Sequence, residues 1–144
     1  MDPCGKAEGV NVLAVSVFDH WLTEEEADHQ LGEVTKEKQI ERNRRHFSFL
    51  KRLVSETEVL SFRIAGRRKT KIIFSKFVNI DQCLRHLAPI LTASSVQDRI
   101  SAALPELHAL YIEGYDDTYY LYYREEQLIA NFKSWVTDAG LFVL

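Results

Sequence analysis

The sequence predicts an α+β fold: a mostly antiparallel sheet of one central apolar strand and two β-hairpins, with about four helices packed on it. Residues 10–18 put Val10, Val12, Leu13, Ala14, Val15, Val17 and Phe18 on both sides of an extended segment, as in a strand covered on both faces. Two later stretches alternate apolar and polar residues around turn-forming residues, the pattern of hairpins. Between and after them, apolar residues recur at helical spacing. At 144 residues the chain has the length of one domain, read as spanning 1–144 with residues 1–9 frayed.

In chain order, Thr23 with Glu26 forms a capping box, and Glu24, Glu25, Glu26 and Asp28 suit the positive end of a helix. Gly32 breaks that helix early, and a longer one follows over about 35–55, expected to bury Ile40, Phe47, Leu50, Leu53 and Val54. The first hairpin sets Leu60, Phe62, Ile64, Ile72 and Phe74 on one face, with Phe62 opposite Ile72. Ser61, Arg63, Lys71 and Ile73 take the other face, with Arg67, Arg68 and Lys69 at the tip. Asn79 caps a helix carrying Ile80, Cys83, Leu84, Leu87 and Leu91, which Pro89 bends or ends. Ser94 with Gln97 opens a helix over Val96, Ile100, Ala103 and Leu104 that Pro105 stops. A second hairpin turns around Tyr115, Asp116 and Asp117. The last helix spans about 125–138 on Leu128, Ile129, Phe132, Trp135 and Val136, ends at Gly140, and leads into a final strand.

Charge is segregated along the chain. Net charge is −3, but residues 1–35 sum to −7, residues 36–76 to +9 and residues 77–144 to −5. Such blocks serve either contact with a partner or pairing within one monomer. Cys4 and Cys83 have no metal-site or redox-pair spacing, no apolar run reaches 18 residues, and the first residues lack a signal core. The expectation is a cytoplasmic protein with no membrane contact.

Candidate chemistry is sparse. Asp19, His20, Asp28 and His29 lie near a strand end, but their spacing is not that of a metal site. Asp116, Asp117, Glu125 and Glu126 suit a turn and a helix start as well as acid–base work. Cys83 falls on a buried stripe, where a thiol is inert. No phosphate loop, nucleotide fingerprint or nucleophile elbow is present, and neither cofactor nor metal is expected. The second hairpin, read with Gly114 opposite Tyr119, turns Leu110, Ile112, Leu121 and Tyr123 to the core. Tyr111, Glu113, Tyr120 and Tyr122 take the other face, beside Asp116 and Asp117. Tyrosines ringed by carboxylates suit contact with a basic protein. The alternative surface is basic: Arg63, Arg67, Arg68, Lys69 and Lys71, within a 36–76 segment suited to nucleic acid.

The stretch Gly114-Tyr115-Asp116-Asp117-Thr118-Tyr119-Tyr120-Leu121-Tyr122-Tyr123, followed by Trp135-Val136-Thr137-Asp138-Ala139-Gly140-Leu141-Phe142-Val143-Leu144, resembles small bacterial immunity proteins, the cognate inhibitors of contact-dependent and polymorphic toxins. The resemblance covers roughly the last quarter of the chain and carries over no individual functional residue. It implies a stoichiometric, non-catalytic binder that blocks a toxin domain through a charged surface. The first expectation is therefore an inhibitor or immunity-type protein binding a basic toxin domain. A nucleic-acid accessory protein and a small enzyme acting near Asp19 and His20 are the alternatives.

Overall fold

The computed structural model describes residues 9–68, 70–87, 101–114 and 117–144. Among these residues seven strands form one antiparallel sheet: β1 Asn11–Ser16, β2 Leu60–Ala65, β3 Lys71–Lys76, β4 Ser101–Leu104, β5 Ala109–Glu113, β6 Thr118–Tyr123 and β7 Phe142–Val143. Their order is β3-β2-β4-β5-β6-β1-β7. The helices are α1 Glu24–Ala27, α2 Lys36–Glu56, α3 Ile80–Leu87 and α4 Ala130–Asp138. The α+β class is as the patterning predicts. No helix among the described residues is long and apolar enough to cross a membrane.

Local signals set most element ends. Thr23 and Glu26 form the reciprocal capping box that starts α1. A π-turn at Asp28–Gly32 follows, and Thr35 caps α2 by accepting from Lys38 N–H at 3.2 Å. Asn79 Oδ1 accepts from Gln82 N–H at 2.8 Å at the start of α3. Gly140 (φ 79°) takes the left-handed conformation that ends α4, and Leu141 N–H reaches back to Val136 O at 3.1 Å.

One face of the sheet holds the core. Leu13, Val15, Ala102, Leu104, Tyr111, Tyr119 and Leu121 point inward against Phe49, Leu50 and Leu53 of α2, Cys83 and Leu87 of α3, and Phe132, Trp135 and Val136 of α4. Phe49 sits at its centre, edge-on to Phe132 at 5.3 Å and tilted against Tyr111 at 5.9 Å.

Four expectations change. The apolar strand 10–18 is buried on both faces, but β1 lies second from an edge, with only the two-residue β7 outside it. The segment expected as a helix up to Leu104 ends as strand β4, and the rest of it (with Ser94 and Gln97) lies outside the described residues. Ala102 and Leu104 face the core beside Tyr111 and Ala109, and sheet pairing on both sides overrides the helical spacing. Third, α2 is rotated from its expected setting. Ile40 and Phe47 are exposed, while Arg42, His46, Phe49, Leu50 and Leu53 form the buried stripe. Polar residues can enter it because Arg42 finds Phe18, Gln30 and Asp117 as partners.

Fourth, both hairpins pair differently. In the first, Phe62 faces Phe74 and Ile64 faces Ile72. That two-residue shift keeps Leu60, Phe62, Ile64, Ile72 and Phe74 on one face, but that face is away from the helices. In the second, Glu113 rather than Gly114 pairs with Tyr119. The connection closes with Gly114 N–H donating to Thr118 O at 2.8 Å and Asp117 at φ 55°, the left-handed residue of a three-residue hairpin loop. A one-residue shift inverts which side chains share a face.

The rotation of α2 is checkable by denaturant melts. Phe49→Ala should destabilise the fold by about 3–5 kcal/mol, while Phe47→Ala should cost under about 1 kcal/mol. Similar losses for the two would place α2 in the other rotation.

Candidate functional site

Strand pairing builds the second face of the sheet row by row. Phe74 lies beside Phe62, Ser101 beside Ile112, Tyr120 beside Ala14, and Ala14 exchanges backbone hydrogen bonds with Leu144. Ser101 Oγ donates to Phe62 O at 3.4 Å and joins the two halves of this row. A parallel row runs through Leu60, Ala103, Leu110, Tyr122 and Val12. No described helix packs its buried side chains here. Ile64, Ile72 and Phe74 are 59%, 58% and 53% exposed, and Tyr122 is 38% exposed. Between β3 and β5 the face dips into an apolar groove of about 510 Å³ lined by Leu60, Phe74, Ala103, Pro105 and Leu110. A contiguous apolar surface of this extent is uncommon on a soluble monomer and marks a contact site.

The two ends of this belt carry opposite charge. At the β3 edge the hairpin extends past β4, which pairs only with Leu60 and Ser61 of β2. Arg63, Arg67, Arg68, Lys71 and Lys76 are exposed there, and none forms an ion pair with a described residue. Lys69 of the same proposed surface lies outside the described residues. At the β1 edge the chain leaves the sheet through Asp19, His20 and Trp21 into acidic α1. Trp21 is exposed, and with Leu22 it lines a cleft of about 280 Å³ against Ser16, Thr118, Tyr120 and Leu144.

Of the tyrosine set, only part reaches this face. Tyr122 is exposed on it. Tyr120 is half-buried because its ring lies across Gly114, where a Cβ would sit 2.3 Å from Cε2. Tyr111 is on the opposite face, fully buried and stacked on Tyr119 at 5.3 Å with planes 3° apart. Glu113 shares the Tyr111 face and is half-buried. Asp117 pairs with the buried Arg42 at 3.5 Å and accepts from Gln39 at 3.3 Å. Asp116 lies outside the described residues. The β5–β6 register thus separates Tyr111 and Glu113 from Tyr120 and Tyr122, which the sequence pattern places together.

Tyr111, Tyr119, Asp117, Arg42 and His46 instead form a polar layer between α2 and the β5–β6 turn, which the sequence analysis missed. Its trace in the sequence is the spacing Arg42, His46, Phe49, Leu53, a core stripe with two polar members. The His46 ring rests on Tyr119 at 4.7 Å. Burial holds its pKa down at about 4, against the opposing pull of Asp117.

The catalytic candidates are accounted for locally. His20 holds Asp19 at 2.6 Å through Nδ1 and Glu26 at 3.1 Å through Nε2, and these bonds raise its pKa, the one to Asp19 most. Its two nitrogens face different carboxylates, so the three groups do not converge on one point. His29 pairs with Glu33, Glu125 with His108 and Glu126 with Tyr123 and Lys133. Among the described residues no cluster of three or more His, Cys, Asp or Glu side chains suits a metal ion. Burial pushes the Cys83 thiol up to about 11, far from a reactive thiolate. Comparison with protein-family models, curated proteins and solved structures returns no match.

The polar layer has a pH signature. His46 binds a proton less readily folded (about 4) than unfolded (about 6.5). Stability on its account is therefore full above about 6.5, is lost as pH falls, and levels off below about 4, a change of about 3 kcal/mol. Urea melts between pH 7 and 4 should show this slope, and His46→Leu should flatten it. An unchanged slope in that variant would mean His46 is not held neutral by burial.

Proposed function

We propose that this chain is a non-catalytic protein-binding module of the inhibitor or immunity type, acting in the cytoplasm and taking its partner on the open face of its sheet. The observation that carries the reading is the apolar belt from Phe74 to Leu144, with Tyr122 exposed at its middle and a groove beneath Phe74. Interfaces draw most of their affinity from a few desolvated aromatic and aliphatic anchors surrounded by polar groups. Tyr122, Phe74 and the groove supply such a centre, and the charged segments at either end supply the rim that steers approach. The C-terminal resemblance supports a toxin domain as the partner. A basic surface on that domain would meet the acidic α1 end.

Nucleic acid is the second reading, favoured by one observation: the uncompensated Arg67 and Arg68 at the hairpin tip adjoin the face that carries Phe62 and Phe74, while Arg63 and Lys71 point to the other face. Single strands bind such surfaces by phosphate contacts and base stacking. The belt, however, is mainly aliphatic (Leu60, Ile64, Ile72, Leu110, Ile112), and aliphatic side chains offer bases no stacking partner. That balance favours protein.

The test is co-expression with the protein encoded immediately upstream of this chain's gene. A one-to-one complex and relief of that protein's toxicity are expected. Tyr122→Ala should weaken the complex by about 2 kcal/mol, and Phe74→Asp by at least as much. Tyr111→Phe should leave it unchanged. An upstream product that is harmless and does not bind contradicts the inhibitor reading. Full affinity in both face variants moves the contact elsewhere. Binding to any single strand, with log affinity falling steeply against log salt, favours nucleic acid.

A further inference from the structure

The open face carries its two charges at one end of the sheet but on opposite edges. β1 leaves the sheet at Ser16, β5 turns into β6 beyond Glu113, and β2 turns into β3 beyond Ala65. Because Ser16 pairs with Thr118, Ser101 with Ile112 and Leu60 with Ala103, these three points lie at the same end of the strands. The basic tip with Arg67 and Arg68 therefore stands level with the acidic exit at Asp19, Glu24 and Glu25, separated by the width of the sheet.

This arrangement is complementary to itself. A two-fold axis parallel to the strands, midway between two stacked sheets, keeps height along the strand and exchanges the edges. It sets each basic tip over the other copy's acidic exit and lays belt against belt. An axis along the strand order would keep the edge and reverse the height, setting each basic tip over the Lys76 end of the other copy's hairpin, again like against like. We propose that the free chain closes its open face with a second copy of itself, stacked about the axis that pairs basic tip with acidic exit. The inference rests on the reading of the open face as a contact surface. It adds that the second copy and the inhibited protein compete for that face, so partner binding splits the dimer.

The area suffices. Seven strands about 4.8 Å apart span about 30 Å, and the rows of outward side chains cover about 20 Å along the strands. That is roughly 600 Å² per copy and roughly 1,200 Å² in all, counting the exposed Trp21 where it lies over the buried Ser16 and Thr118, above the roughly 1,000 Å² a specific interface needs. Aligned sheets pack about 10 Å apart with interdigitated side chains. Ile64, Ile72, Phe74 and Tyr122, which stand out from the face, can fill that layer between the small Ala14, Ser101 and Ala103.

Edge pairing through β3 is disfavoured by the same reasoning. An antiparallel copy of β3 would set Lys71 against Lys76, and lysine on an edge strand guards against such pairing.

Sedimentation equilibrium of the purified chain tests the proposal. The wild-type chain should be a dimer at about 100 µM, and Phe74→Asp, an exposed position, should raise the dissociation constant about thirtyfold or more. The double variants Arg67→Glu/Arg68→Glu and Glu24→Lys/Glu25→Lys should each weaken self-association at least about tenfold. Mixing these two variants should restore a dimer, because tip and exit charges are then opposite again across both contacts. Circular dichroism confirms that each variant is folded. A monomeric wild-type chain, or a dimer indifferent to Phe74→Asp, overturns the proposal, and a mixture no tighter than its components overturns the axis. Failure here is distinguishable from failure of the functional reading: a monomer whose partner binding is still lost in Phe74→Asp leaves that reading standing, whereas a self-dimer whose partner ignores Phe74→Asp does the reverse.

Discussion

The pairing of β5 with β6 decides which surfaces this protein keeps and which it shows. Asp117 closes their connection in the left-handed conformation, and Gly114 meets Thr118 rather than Tyr119. Side chains alternate across a strand, so that single residue of register puts Tyr111 on the inward face with Tyr119 and Leu121 and parts it from Tyr120 and Tyr122. The stacked Tyr111–Tyr119 pair then forms the floor on which α2 rests, through His46 and Phe49. Gly114 belongs to the same constraint, because the Tyr120 ring occupies the space a side chain would need there.

The buried stripe of α2 follows from that floor. Its lower half is apolar and packs on strands and α4. Its upper half, Arg42 and His46, meets polar partners around the β5–β6 turn. A buried charge persists only when paired, and Arg42 has Asp117, Gln30 and the Phe18 ring around it. Acidic and basic segments that are distant in sequence thus pair at one place inside the molecule. Elsewhere among the described residues they form no further ion pair with each other, and the hairpin tip and acidic exit remain available to other molecules.

Capping signals were the most legible part of the fold. Thr23 with Glu26, Thr35, Asn79 and Gly140 each mark a helix end through a bond to a neighbour a few residues away, so no tertiary knowledge is needed. The alternation of Leu60, Phe62, Ile64, Ile72 and Phe74 likewise reported a shared face. It could not report whether helices cover that face, because an apolar stripe reads the same whether it meets the chain's own core or another molecule. Tyr111 and Tyr122 show the limit most sharply: their separation depends on a turn conformation set by one residue, Asp117, whose composition is equally compatible with a longer loop. The strand β4 was misread because four residues ending at a proline fit a helix end and a strand end alike. Arg42 and His46 were passed over because polarity at a helical spacing reads as solvent-facing until the partners that bury it are known.

A sheet with helices on one side and an apolar belt on the other is the central claim, and tyrosine accessibility tests it most directly. Nitration followed by peptide mapping, run on the folded Phe74→Asp chain so that self-association does not mask the face, reads each tyrosine separately. The account predicts rapid modification of Tyr122, with Tyr111 and Tyr119 protected until the chain unfolds. Modification of Tyr111 together with Tyr122 in the folded chain would mean the register is shifted by one residue, so that the two rings share a face.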